Sequence, residues 1–172
     1  PGIGDLVKPT DWQTKSLPMQ YGVNYIKIPI AIPDFKWWET NTPWLYNLQI
    51  KLSEANNREV DRVNKNFGMR SFQMDTVNIP KGKIFLNGKP IRLRGANSMG
   101  FEQNDVKKKN WNQLIDDILL AKLANMNFLR FTQRPVQSEV YDYCDKLGML
   151  NQTDLPLFGG LRVNQFTEAV KQ

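Results

Sequence analysis

The segment from Ile84 to Asn97 reads Ile-Phe-Leu-Asn-Gly-Lys-Pro-Ile-Arg-Leu-Arg-Gly-Ala-Asn and lies where the character of the sequence changes. Two short apolar runs flank Asn87-Gly88, and this dipeptide favours a tight hairpin because both residues tolerate positive φ. The second run leads into Arg94-Gly95-Ala96-Asn97, which we expect just past the end of a buried strand. The sequence before this hairpin predicts β-structure, and the sequence after it predicts alternating helices and strands.

The composition is that of an ordinary globular protein, with 172 residues, 41% hydrophobic content and a mean hydropathy of −0.51. No apolar stretch is long enough to cross a bilayer, so we expect no membrane partner. The net charge of +6 comes from dispersed cations, apart from the run Lys107–Lys109. Because nucleic-acid binding needs a clustered basic patch, we expect no nucleic-acid partner either.

The residue types exclude several classes of chemistry. The chain has no histidine and a single cysteine, Cys144, which excludes the usual zinc sites and a Ser-His-Asp triad. It also lacks a phosphate-binding glycine loop and a dinucleotide fingerprint, so we expect no metal and no cofactor. Any catalysis would depend on carboxylates, lysine, tyrosine or the one cysteine.

Residues 21–75 are expected to form part of a β-sandwich. Isoleucines alternate with other residues between 26 and 32, which predicts a strand with one buried face. The same alternation predicts a strand over residues 46–52, a hairpin turn at Asn56-Asn57, and a return strand from Val60 towards Phe67.

An aromatic cluster, Trp37, Trp38, Trp44 and Tyr46, lies beside these strands in the sequence. Flat rings stack on sugar faces, so the cluster could form a carbohydrate platform. The alternative is that the rings fill the end of the sandwich or its contact with the next domain. We favour this alternative because large aromatic side chains commonly provide core area.

The second half of the chain predicts alternating helices and strands. The expected order is a helix over about 111–125, a strand over 128–131, a helix beginning at the N-cap Ser138 and ending at Gly148, a strand from Met149 to Asp154, and the start of another helix over 163–172. Such alternation predicts parallel strands with right-handed crossovers. Polar residues are expected at the carboxyl ends of the strands, where a (β/α) barrel carries its active site: Arg94 and Asn97, Arg130 and Gln133, and Asp154.

Several motifs, taken in order, resemble glycoside hydrolase family two, the β-galactosidase, β-glucuronidase and β-mannosidase group. They are Pro43–Tyr46, Phe67–Arg70, Leu86–Pro90, Leu93–Asn97, Asp116-Asp117-x-x-Leu-x-Lys, Asn125–Arg130 and Tyr141-x-x-Cys144-Asp145-x-x-Gly148. The resemblance implies a multidomain fold, β then α/β. An Ig-like β-sandwich portion over residues 1–76 would precede the first βα units of an incomplete (β/α)8 barrel over residues 77–172.

The resemblance also implies a retaining β-glycosidase that hydrolyses O-glycosidic bonds in carbohydrates with two glutamates on later strands. None of the six glutamates in this sequence lies in the Asn-Glu context of the family. We therefore expect no catalytic residue in this chain and no activity from the chain alone. The alternative function is a non-catalytic carbohydrate-binding or structural module of the same ancestry, with the aromatic cluster as its binding face.

By matching motifs, the resemblance implies a substrate-binding role for five residues: Arg94, Asn97, Arg130, Gln133 and Asp154. The guanidinium of Arg94 would lie near the nucleophile and favour its ionised form. Gln133 stands where many members carry a histidine, and its amide could replace the hydrogen bonds of that histidine. The expected partner is a carbohydrate substrate. An incomplete barrel also exposes an unpaired strand edge, so we expect the chain to self-associate there.

Overall fold

Local sequence signals account for most of the elements in the computed structural model, which describes residues 12–156. The chain divides into two compact units, the first ending at Pro33 and the second beginning at Asp34. The described part of the first unit, residues 12–33, contains no helix and no strand.

The strand predicted from the alternating isoleucines is wrong. Residues 26–32 form no strand, and Ile26, Ile28 and Ile30 are each about half exposed. A strand needs a partner for its backbone N–H and C=O groups, and no strand of the described part pairs with this segment. Alternation reports which conformation a segment favours, whereas pairing depends on residues elsewhere in the chain.

The second unit opens with an antiparallel hairpin of two long strands, β1 (Tyr46–Ser53) and β2 (Glu59–Phe67). Asn57, with φ of +64°, lies in the connection. Both strands and their hairpin are confirmed. Ile50 faces Val63 across the pair and both are about half exposed, because the hairpin is a two-stranded sheet in the described part of the chain.

A second antiparallel sheet contains the Asn-Gly hairpin. Its strands are β3 (Phe72–Met74), β4 (Ile84–Leu86) and β5 (Lys89–Pro90), paired in that order. Asn87 and Gly88 have φ of +52° and +75°, the left-handed values that a two-residue hairpin turn requires, so the predicted turn is confirmed.

The longer return strand expected after this turn is wrong, because the chain leaves the hairpin after Pro90. The buried side chain of Asn127 accounts for this departure. Its Nδ2 donates to the Arg92 carbonyl at 3.0 Å and its Oδ1 accepts from the Arg94 N–H at 2.8 Å. These bonds direct residues 92–94 towards the next sheet.

That next sheet is parallel, with strand order β6 (Gly95–Ser98), β7 (Phe128–Phe131) and β8 (Leu150–Thr153). Three helices accompany it, α1 (Phe101–Lys108), α2 (Trp111–Leu123) and α3 (Ser138–Leu147). The predicted α2, β7, α3 and β8 are confirmed. The order of the chain is therefore β followed by α/β.

Helix ends show where the sequence patterns are imprecise. Helix α1 was not predicted, because it is mostly polar and lies between Gly100 (φ +94°) and Lys109 (φ +55°). The predicted N-cap Ser138 is wrong by one residue, since Gln137 occupies that position. Gly148 ends α3 with φ of +75°, as predicted. The helix expected over 163–172 lies outside the described residues.

The core of the second unit lies between the parallel sheet and its helices. It joins apolar side chains of α2, β7 and α3 with one from the loop before β8: Leu114, Ile118, Leu129, Phe131, Val140, Cys144 and Met149. Burial of these side chains fixes the face of the sheet that packs on the helices, and so determines which face stays open.

The segment around Trp38 is anchored on the ends of α2 and α3. Trp38 is fully buried, and its Nε1 donates to the Asp145 carbonyl at 2.7 Å. Lys122 Nζ donates to the carbonyls of Thr40 and Gly148, at 2.6 and 3.2 Å. Trp38 is therefore a buried packing residue, as favoured for the aromatic cluster, whereas Trp37 is 43% exposed.

Candidate functional site

The open face of the parallel sheet carries two rows of side chains. Successive residues of a strand point to opposite faces. Leu129 and Phe131 pack on the helices, so Phe128 and Arg130 belong to the open face. The strand register aligns Gly95, Phe128 and Leu150 in one row. Nearer the carboxyl ends it aligns Asn97, Arg130 and Gln152, which we call the polar row.

Arg130 and Asp154 form a bidentate ion pair at the carboxyl end of the sheet. Arg130 Nε lies 3.1 Å from Asp154 Oδ1, and Arg130 Nη2 lies 2.7 Å from Asp154 Oδ2. Parallel hydrogen bonds of this kind are among the strongest between side chains. The hydrogen bond from Arg130 is the main reason that the pKa of the Asp154 carboxyl lies below its usual value.

Gln133 joins this pair through its backbone. It follows β7 with φ of +70°, and its N–H donates to Asp154 Oδ2 at 3.2 Å. A left-handed backbone is uncommon for a residue other than glycine, so this bond helps to hold the loop after β7 in place. The structure thus brings together three of the predicted site residues: Arg130, Gln133 and Asp154.

Asn97 lies on β6, one residue before its end, and its side chain is exposed. Its register with Arg130 places it in the polar row, at the same edge as the ion pair. Asn97 is therefore within the strand and not past it, but it lies towards the carboxyl end of the strand, as predicted.

Arg94 lies at the amino-terminal end of the parallel strands, so the prediction that it sits at a carboxyl end is wrong. It precedes β6, and its Nε donates to the Asn125 carbonyl at 2.9 Å, before the start of β7. The error follows from where the strand was placed. The apolar pattern ending at Leu93 predicts the strand too early in the chain, since the parallel pairing begins at Gly95.

Gln152, the third member of the polar row, was not predicted from the sequence. It lies in register with Arg130, and its Nε2 is 3.3 Å from Asp154 Oδ1. The available signal was its position two residues before Asp154, which puts both side chains on the same face of an extended strand.

Each glutamate of the described part forms a hydrogen bond or an ion pair with a residue outside the polar row. Glu102 is buried and accepts a hydrogen bond from Ser98 Oγ at 2.6 Å. The others pair with neighbouring side chains: Glu39 with Lys89, Glu54 with Arg58, Glu59 with Arg62 and Lys51, and Glu139 with Ser138. A retaining glycosidase uses two carboxyls about 5 Å apart. Each of these glutamates binds a different partner residue, and no two of them share one.

Residues 12–156 contain no group of three or more histidine, cysteine, aspartate or glutamate side chains that could hold a metal ion. Within the same range, every helix is too short or too polar to cross a membrane.

Comparisons with known proteins agree on one family. The model described as glycosyl hydrolases family 2 matches residues 6–70, and the model described as the TIM barrel domain of that family matches residues 77–169. The β-galactosidase of Pseudoalteromonas haloplanktis is 27% identical over 159 residues, covering 83% of this chain and 15% of that protein. The β-galactosidase of Halalkalibacterium halodurans is 32% identical over 112 residues, covering 65% and 11%.

Solved structures give the same result. A β-glucuronidase from Bacteroides uniformis is 29% identical with a TM-score of 0.58, covering 71% of this chain and 14% of that one. A β-glucuronidase from Ruminococcus gnavus, in complex with D-glucuronic acid, shares the fold with a TM-score of 0.64 at 23% identity, covering 79% and 23%.

The chain spans about 15% of the length of the first curated relatives that it matches. The relatives therefore contain a great deal of protein that has no counterpart among these 172 residues. Because the TIM-barrel model matches more than half of the chain and a second model of the same family matches the part before it, the chain belongs to glycosyl hydrolase family 2.

Proposed function

We propose that this chain forms one wall of the active site of a retaining β-glycosidase, an enzyme that hydrolyses O-glycosidic bonds in carbohydrates. The observation that carries the proposal is the Arg130–Asp154 ion pair in a polar row at the carboxyl end of a parallel sheet. TIM-barrel enzymes build their active sites at that end of the strands. The chain alone has no activity in this proposal, because neither glutamate of the catalytic pair is among its residues.

The wall takes its chemistry from four of the predicted residues. The amides of Asn97 and Gln133 can each donate and accept hydrogen bonds to sugar hydroxyls. Arg130 supplies a cation that Asp154 partly neutralises. Arg94 is left out of the wall, because its guanidinium is bound to Asn125 at the other edge of the sheet.

The proposed substrate is a β-linked glycoside. Relatives named as β-galactosidases and β-glucuronidases support this class. These two kinds of enzyme are named for different sugars: a glucuronide carries a carboxylate, and a galactoside does not. Both kinds of aryl glycoside therefore belong in any activity test.

We also propose that the domain boundary lies near residues 76 and 77, between an Ig-like sandwich portion and the start of a (β/α)8 barrel. The matches to the two family models end and begin on either side of this point. Each of β6 and β8 has a single neighbouring strand in the described part, as expected for a section of a barrel. A closed barrel of this type has eight parallel strands.

These open edges support a second proposal, that the isolated chain self-associates. Unpaired strand edges are templates for pairing with another chain. The outer side of α2 adds apolar surface, since Leu120 is 60% exposed and Leu123 is 82% exposed. Stable monomers rarely leave unpaired strand edges and apolar side chains of this kind exposed to water.

The experiment that tests the enzymatic proposal uses a longer product of the same gene that includes the two glutamates expected on later strands. This product should release nitrophenol from a nitrophenyl β-galactoside or a nitrophenyl β-glucuronide. Asn97→Ala should lower kcat/KM about 10-fold, the loss expected for one or two hydrogen bonds. Asn151→Ala is the matched control, because Asn151 lies in register with the core residue Leu129 and so on the helix-facing side of β8. Sugar binding without any turnover would favour the non-catalytic module instead.

A further inference from the structure

We propose that Asp154 is a positioning residue that holds Arg130 and the loop after β7, and that Gln152 is the residue near the end of β8 that contacts the sugar. This inference rests on the proposed function for its substrate. It changes the roles within the site, because Asp154 was expected to bind the sugar directly and Gln152 was not assigned any role.

The hydrogen-bonding capacity of Asp154 is already filled. Its Oδ1 accepts from Arg130 Nε at 3.1 Å and from Gln152 Nε2 at 3.3 Å. Its Oδ2 accepts from Arg130 Nη2 at 2.7 Å and from the Gln133 N–H at 3.2 Å. An ionised carboxylate offers about four lone-pair sites. A sugar hydroxyl would therefore have to displace one of these donors before it could bind Asp154.

The donors on Asp154 come from two neighbouring strand ends. Arg130 belongs to β7 and Gln133 to the loop that follows it, whereas Asp154 follows β8. The Asp154 side chain is only 18% exposed, compared with 39% for that of Arg130. The carboxylate thus lies behind the guanidinium, fixes its orientation, and supports the left-handed backbone at Gln133.

Gln152 is placed differently. It lies in register with Arg130, and through Arg130 with Asn97, on the open face of the sheet. Neighbouring strands are about 4.8 Å apart, so Gln152 lies one strand spacing from Arg130 and about 10 Å from Asn97. The Gln152 side chain is exposed, and its Oε1 makes no hydrogen bond to any described residue. It keeps both an acceptor and a donor for sugar hydroxyls.

The first experiment uses the 172-residue chain and needs no activity. Nitrogen-15 NMR follows exchange of the Arg130 Nε–H proton with water. We expect slow exchange in the wild type and in Gln152→Ala, and exchange at least 10-fold faster in Asp154→Asn. Unchanged exchange in Asp154→Asn would overturn the positioning role of Asp154.

The second experiment uses the longer gene product and a double-mutant cycle. If Asp154 acts mainly through Arg130, Asp154→Asn should cost kcat/KM much less once Arg130→Ala is present. Only its hydrogen bonds from the Gln133 N–H and from Gln152 Nε2 then remain to be lost. Gln152→Ala should raise KM about 10-fold. Asn151→Ala, on the opposite face of β8, should stay within 2-fold of wild type.

The outcomes separate the two proposals. Fully multiplying effects of Asp154→Asn and Arg130→Ala would show that Asp154 does not act through Arg130, which overturns its assignment. A wild-type KM in Gln152→Ala overturns the role of Gln152. A longer product inactive on every aryl glycoside would overturn the proposed function and with it the sugar contact of Gln152. The exchange measurement on Arg130 would still decide the role of Asp154.

Discussion

Replacement of Gly148 by alanine tests how the Trp38 segment is anchored on the parallel sheet and its helices. Gly148 ends α3 with φ of +75°. A Cβ atom at this position would lie well inside contact distance of the Thr40 carbonyl oxygen, and backbone cannot move aside as a flexible side chain can. The same Thr40 oxygen accepts the hydrogen bond from Lys122 at 2.6 Å.

Two costs determine the expected effect on the free energy of unfolding. Alanine in the left-handed region costs about 1 kcal/mol. Displacement of Thr40 breaks a hydrogen bond to a charged donor, which is worth about 2 kcal/mol. We therefore expect Gly148→Ala to destabilise the chain by about 3 kcal/mol.

Gly88→Ala is the matched control. Gly88 has the same φ of +75°, but nothing lies within 4 Å of the position that its Cβ would occupy. This variant should lose only the backbone cost of about 1 kcal/mol. Urea denaturation followed by tryptophan fluorescence measures both, because the fully buried Trp38 reports on the contact. Equal losses for the two variants would refute the close packing of Gly148 against Thr40.

Three further predictions concern the chain in solution. Sedimentation at rising concentration should show species heavier than the 20.0 kDa monomer, and Leu123→Glu should reduce them; a monomer at every concentration, with cooperative unfolding, would contradict the open-edge proposal. Burial raises the pKa of the Cys144 thiol to about 12, so iodoacetamide at pH 8 should modify the native chain on the order of 10³-fold more slowly than the urea-unfolded chain, and equal rates would show an accessible thiol. The hydrogen bond from Arg130 lowers the pKa of Asp154, so its contribution to stability is present above about pH 4 and is lost as the pH falls through the folded-state pKa; Asp154→Asn should therefore reduce the fall in urea midpoint between pH 5 and pH 2, and an unchanged fall would argue against the ion pair.

Elements with a strong local pattern could be predicted from the sequence. Helix α2 was predicted from the spacing of its apolar residues, and the hairpin at Asn87-Gly88 from the positive φ that both residues tolerate. Strand β7 was predicted from one short apolar run. In each case the residues that determine the conformation are neighbours in the chain.

The errors came from interactions between distant residues. The isoleucine segment over 26–32 has the pattern of a strand but no partner in the described part of the chain. Arg94 was assigned to the wrong end of the strands because the side chain of Asn127 directs residues 92–94 away from the hairpin. Asn127 lies 33 positions after Arg94 in the chain. No local pattern at Arg94 signals that contact.

The candidate site was predicted in part for the same reason. Arg130 and Asp154 each follow from the rule that polar residues gather at the carboxyl ends of parallel strands. Which of the two would contact a sugar in the proposed site depends on how many donors surround the carboxylate, and only the structure shows the four on Asp154. The place of Gln152 depends on the register of β7 and β8.

The most direct test of the central claim is an activity measurement on the 172-residue chain itself. Purified chain is incubated with aryl β-galactosides and aryl β-glucuronides at concentrations high enough to detect a few turnovers per day. A wall without the catalytic glutamates should release no more nitrophenol than buffer does. Release that rises with chain concentration, and that is abolished by replacing one of its six glutamates, would contradict the proposal by placing a catalytic carboxyl within this chain.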